Sequence, residues 1–99
     1  MIARVWRGWS APDSADEIAA DLRNGVLADY AASPGNVSVS ILLRRSAGGV
    51  ELMTYTVWQS ASAVPAGVDE RHPLLVARQT LADRWEIAMP AETEAREAA

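Results

Sequence analysis

The sequence predicts a single α+β domain in the order β-α-β-β-α-β. Three observations carry this reading: a period-2 run of β-branched and aromatic residues at the N-terminus, an apolar stripe at helical spacing after it, and two further alternating runs joined by a glycine-rich turn. Residues 2–9 form the first strand; they are too few for a stable helix. Ala3, Val5, Arg7 and Trp9 fall on one face, and Ile2, Arg4, Trp6 and Gly8 on the other. Both faces therefore carry a tryptophan.

In "SAPDSADE", Ser14 is followed three residues later by Glu17, the spacing of a capping box. Ala15, Ile18, Ala19, Leu22, Val26 and Tyr30 then recur at helical spacing, so an amphipathic helix is expected from there to the Ser33-Pro34-Gly35 stop. Its other side carries Asp16, Glu17, Asp21, Arg23, Asn24 and Asp29, a solvated face. Gly25 inside it costs about 1 kcal/mol relative to alanine and points to close packing. The acids Asp13, Asp16, Glu17 and Asp21 cluster at the helix start, where the macrodipole favours them, and call for no catalytic role.

Residues 37–45 alternate, with Val37, Val39, Ile41 and Leu43 opposed to Ser38, Ser40, Leu42 and Arg44, and residues 50–59 do so again, with Leu52, Thr54, Thr56 and Trp58 on one face. "RSAGG" between them makes residues 36–59 an antiparallel hairpin with a loop slightly longer than the tightest kind. The stretch "SASAVPAGVDERHP" contains Pro65, Gly67 and Pro73, so a helix beginning near Ser60 or Ser62 is short and broken before Leu74. Leu74, Ala77, Arg78 and Leu81 restart helical spacing to about Ala82. Residues 85–89 are expected as the last strand, stopped by Pro90, and residues 91–99 as a polar, flexible tail. The domain is thus residues 1–90. This order is the ferredoxin-like arrangement, a four-stranded antiparallel sheet with helices on one face. Its uncovered face would expose more apolar surface than soluble monomers tolerate, which predicts a homodimer paired sheet to sheet as a dimeric α/β barrel.

Composition narrows the function. The 99-residue chain has no cysteine, which excludes a disulfide scaffold, a thiolate metal site and a cysteine nucleophile. Its net charge is −4, and its nine basic residues, all arginine, are scattered, so a nucleic-acid partner is not expected. No apolar run approaches a membrane span or signal peptide, and the expectation is a soluble, cytoplasmic protein without a membrane partner. One histidine and no phosphate-binding loop predict neither metal nor flavin as cofactor.

The opening "MIARVWRGWSAPDSAD", the strand "ILLRR", the third strand ending "TVWQS" and the closing "RWEI" resemble the antibiotic biosynthesis monooxygenase family of dimeric α/β barrels over roughly residues 1–89. The resemblance implies a cavity between sheet and helices of each subunit, lined by the tryptophan that ends the third strand, here Trp58. It implies, among the family's activities, a small cofactor-independent monooxygenase acting on an aromatic polyketide or similar flat hydrophobic substrate by proton abstraction and direct reaction with O₂. A polyketide cyclase or isomerase, or a non-catalytic binding or structural dimer, is the alternative. Heme-degrading members pair the same tryptophan with an asparagine on the first strand and a histidine on the second helix; this first strand has no asparagine, and the one histidine, His72, precedes a proline.

Beside the resemblance, the residues offer their own candidates. His72 is the natural proton acceptor near neutrality, or a solvated turn residue. Arg7 and Arg44 can turn inward and stabilise an enolate or phenolate, or pair with acids and face a partner subunit. Trp58, Tyr30, Trp6 and Trp9 can wall a flat ligand, or simply fill the core.

Overall fold

The computed structural model describes residues 1–76 and 81–89. Strand β1 (Ile2–Ser10) is followed by a 3₁₀ turn (Pro12–Ser14), helices α1 (Ala15–Asn24) and α2 (Val26–Ala32), the hairpin strands β2 (Asn36–Ser46) and β3 (Gly49–Trp58), a second 3₁₀ turn (Ala61–Ala63), and β4 (Leu81–Glu86). The sheet is antiparallel throughout, in the order β2-β3-β1-β4. The fold is ferredoxin-like, as the sequence predicts.

Four local expectations are corrected. The single long helix divides at Gly25, whose backbone leaves the helical region at φ −105°, ψ −101° while its N–H still reaches the Asp21 carbonyl at 2.9 Å. The capping box does not form: Ser14 closes the 3₁₀ turn through its backbone N–H to the Ala11 carbonyl, and its side chain caps nothing. The hairpin loop is the tight two-residue Ala47-Gly48, because Ser46 pairs with Gly49. Gly49 sits at φ +145° with the Ser10 carbonyl 3.0 Å from where a Cβ would stand, which only glycine accommodates.

The fourth correction concerns the region after β3. The helix expected over residues 74–82 does not form at either end, where Leu74 and Leu75 lie in a turn and Leu81 and Ala82 already belong to β4; residues 77–80, which carry its middle, lie outside the described residues. Among the described residues the only helical turn between β3 and β4 is Ala61–Ala63. The last strand accordingly starts four residues before its expected position and pairs Ile2 with Glu86 and Arg7 with Leu81. The free edge of β1 offers Leu81 and Ala82 a sheet partner, opposite Arg7 and Trp6, in place of helical hydrogen bonds. The expected tail, residues 91–99, lies outside the described residues.

Helices α1 and α2 cover one face of the sheet. Trp6, Ile18, Leu22, Leu52 and Leu75 form one buried cluster there, and Leu27, Tyr30, Trp58 and Val64 a second. The Trp6 ring lies across Gly8, where a Cβ would come within 2.6 Å of it; glycine at this position is what lets the indole lie flat on its own strand. The other face, with Val5, Arg7 and Trp9, Met53 and Tyr55, Leu42, and Leu81 and Trp85, has no cover among the described residues. Among the described residues no helix is long and apolar enough to cross a membrane.

Candidate functional site

Between β3 and β4, residues 65–76 run as a strap across the helix side of the sheet. The Val76 N–H donates to the Trp9 carbonyl of β1 at 2.9 Å, and side chains hold the strap down as well. Leu75 packs into the cluster around Trp6 and Leu52. His72 Nδ1 accepts the Leu74 N–H at 3.2 Å, which leaves its Nε2–H to donate to Asp21 Oδ2 on α1 at 2.7 Å. Glu70 enters the interior, where its side chain is wholly removed from water.

The Glu70 carboxylate meets donors from three elements. Arg4 on β1 donates from Nη1 to both of its oxygens, at 2.9 and 2.8 Å; the Tyr30 hydroxyl on α2 donates to Oε1 at 2.8 Å; and Thr54 on β3 donates to Oε2. The second guanidinium nitrogen of Arg4 reaches the half-exposed Asp69 at 3.0 Å. These residues meet because Arg4 and Thr54 share the helix-side face of neighbouring strands, and Tyr30 ends the buried stripe of α2. Burial alone would lower the pKa of Arg4, but the hydrogen bond and charge of Glu70 outweigh it, and the net shift is upward. Tyr30 is pushed far above its ordinary value by burial, then by the charge of Glu70 and the bond to it.

Trp58 stands beside this cluster. Its indole N–H donates to the Thr56 hydroxyl at 2.9 Å, and Tyr30 meets it edge to face at 5.6 Å between centroids, with Arg4 over the Tyr30 ring at the same distance. Trp58 is 0% exposed, and the space beside its ring is taken by Leu27, Tyr30 and Val64. The open volume lies further toward β4: a 440 Å³ cleft walled by Arg4, the strap from Pro65 to Asp69, Arg71 and Arg84.

The structure thus separates the residues singled out in the sequence. Trp6, Tyr30 and Trp58 lie together on the helix side, buried, and none of them lines the cleft. Arg7 and Arg44 come together on the uncovered face, around a 280 Å³ depression in which Arg44 pairs with Glu51; Trp9 shares that face. His72 sits against α1, so His72 and Arg7 are on opposite sides of the sheet. Sequence reasoning missed Arg4, Thr54 and Glu70. The available signal was Arg4 on the same strand face as Trp6, a charge among residues bound for the core. Among the described residues no group of three or more histidine or acidic side chains is placed to hold a metal.

The chain has the fold of the antibiotic biosynthesis monooxygenase-type proteins. It is similar to the solved structure of a putative antibiotic biosynthesis monooxygenase from Bacillus cereus (TM-score 0.68, 11% identity, covering 93% of this chain and 95% of that one). It is similar also to the heme-degrader MhuD of Mycobacterium tuberculosis with two hemes bound (0.63, 16%, 93% and 100%). A third is the ActVA-Orf6 monooxygenase of Streptomyces coelicolor in complex with nanaomycin D (0.58, 14%, 91% and 92%). At these identities the likeness is one of fold. No family profile matches the chain, and no curated protein does.

Proposed function

We propose that the protein is a small cofactor-independent monooxygenase-type enzyme that works as a homodimer on a flat, weakly acidic aromatic molecule. The observation that carries this reading is the convergence of a guanidinium, a phenol and a threonine hydroxyl (Arg4, Tyr30, Thr54) beside an aromatic wall, adjoining a 440 Å³ cleft on the helix side of the sheet. The likeness in fold to an oxygenase seen with nanaomycin D supports it. In the reaction a base removes a proton from an activated CH₂, the carbanion reduces O₂, and the resulting hydroperoxide loses water, so that R₂CH₂ and O₂ give R₂C=O and H₂O. The substrate supplies the electrons, and the protein contributes proton removal, desolvation and anion stabilisation.

In this proposal Arg4 takes the anion-stabilising part that the sequence offered to Arg7, and Trp58 and Tyr30 form the aromatic wall. His72 is the proton acceptor: Asp21 holds its Nε2–H, the orientation a histidine base requires, and a local turn of the Leu74 peptide frees Nδ1 from the Leu74 N–H. Arg7, Arg44 and Trp9 belong to the dimer face. Oxygen uptake with an anthrone substrate tests the reading, with one O₂ consumed per quinone formed and the bell of the pH–rate profile altered in His72→Gln. Product formed without oxygen uptake would instead make the protein a cyclase or isomerase using the same base and anion stabiliser. Absence of both turnover and binding would favour a non-catalytic dimer, the reading to which the complete burial of Trp58 lends its weight.

A further inference from the structure

We infer that Arg4, Tyr30 and Thr54 form a carboxylate-binding cradle that the chain fills with its own Glu70, so that the helix-side chamber takes a carboxylate-bearing ligand when the strap withdraws. This deepens the functional reading, resting on its premise that the chamber receives a small molecule. The geometry is that of a recognition site. One guanidinium nitrogen, Arg4 Nη1, donates to both oxygens of one carboxylate, and two hydroxyls from different elements complete one oxygen each. The occupant arrives on a strap without α-helix or strand among its described residues, interrupted by Pro65, Gly67 and Pro73, whereas all three donors stand on β1, α2 and β3. The donors are therefore fixed and the acceptor is the part that can leave.

Two further observations support displacement. Arg4 belongs both to the cradle and to the wall of the 440 Å³ cleft, so a molecule entering the cleft meets the guanidinium directly. The same wall carries Arg71 and Arg84, matched in formal charge by Asp69 and Asp83, so Arg4 is the positive charge left over once Glu70 withdraws. A buried ion pair is moreover a poor device for stability alone, since apolar side chains of similar volume commonly do as well or better. A ligand carboxylate replaces Glu70 oxygen for oxygen, whereas a neutral ligand would leave the guanidinium buried without a counter-charge.

The test is thermal unfolding of the full chain as Glu70→Ala, with sodium propionate, propionamide or sodium chloride at matched ionic strength. Propionate should raise the Tm of Glu70→Ala by about 5 °C at saturating concentration, propionamide and chloride should not, and wild type and Arg4→Met/Glu70→Ala should not respond. Calorimetric titration with 2-naphthoate should show about tenfold tighter binding to Glu70→Ala than to wild type, with 2-naphthamide bound equally by both. Propionate acting no better than propionamide, or a Glu70→Ala chain that stays unfolded in propionate, overturns the cradle, as does equal naphthoate affinity in the two proteins. Carboxylate binding without oxygen uptake leaves the cradle standing and removes the oxygenase reading; oxygen uptake without carboxylate binding does the reverse.

Discussion

The two faces of the sheet are cut from the same alternating strands and end in opposite environments. On the helix side Trp6, Leu52 and Trp58 are fully buried, and so are the charges of Arg4 and Glu70. On the other side Trp85 is 59% exposed and Leu42 51%, with Tyr55 and Leu81 beside them. The face that holds buried charge is sealed, and the face that is mostly apolar stands in water. Alternation decides which residues are neighbours on a face; it does not decide which face is covered. The helix side is finished within one chain because the strap supplies Leu75 and Glu70, while the open side is the surface that the proposed homodimer would cover.

The largest effect that would test this contrast is expected from Arg4→Met. It strands the Glu70 carboxylate in the interior with only hydroxyl partners, and should cost about 3–5 kcal/mol in urea denaturation. A loss near that of a surface substitution would mean that water reaches the strap, and the two faces would differ less than their burial implies. Trp58→Phe comes next. It keeps an aromatic edge for Tyr30 but removes the N–H that satisfies Thr56 and some core volume, at a cost of about 1–3 kcal/mol with the fold retained. If the ring also walls a site, the intrinsic fluorescence response to a flat aromatic ligand should fall in this variant; an unchanged response and unchanged turnover would leave Trp58 as scaffold.

Tyr30 gives a pH-dependent measure of the sealed side. Its pKa is raised in the folded chain, so the folded state keeps the phenolic proton where the unfolded chain gives it up. Stability from this group is full below the ordinary tyrosine value of about 10 and is lost as pH rises above it. Tyr30→Phe should flatten that alkaline decline in a series of urea midpoints; an unaltered slope would show that another group sets it. The smallest effect on the fold itself is expected on the open face. Leu42→Asp should turn a dimer that persists at micromolar concentration into a monomer by sedimentation, with the stability of the separated chain changed by about 0.5 kcal/mol or less. Monomeric wild type at that concentration would break the comparison, because the open face would then need no cover.

Much of the architecture is written locally. The faces of β1, β2 and β3, the buried stripe through Ile18, Leu22 and Tyr30, and the β2-β3 hairpin follow from period and turn chemistry, each of which depends on residues a few positions apart. The position of β4 does not. Leu74, Ala77, Arg78 and Leu81 carry helical spacing, yet Leu81 and Ala82 are claimed by the edge of β1, a partner that exists only once the sheet has assembled. The candidate site divides in the same way. Sequence put Trp6 on one strand face with Arg4 and ended the apolar stripe on Tyr30, but it turned attention to Arg7 and Arg44, which the fold leaves on the uncovered face. Arg4 shares a strand face with Trp6, which hints at burial, but nothing nearby names its partner, because its counter-charge lies 66 residues away. By itself the sequence determined which side chains travel together. Only the tertiary structure decided which of them lose their water and which charge meets which, since desolvation and ion pairing depend on segments that the chain brings together late and from far apart.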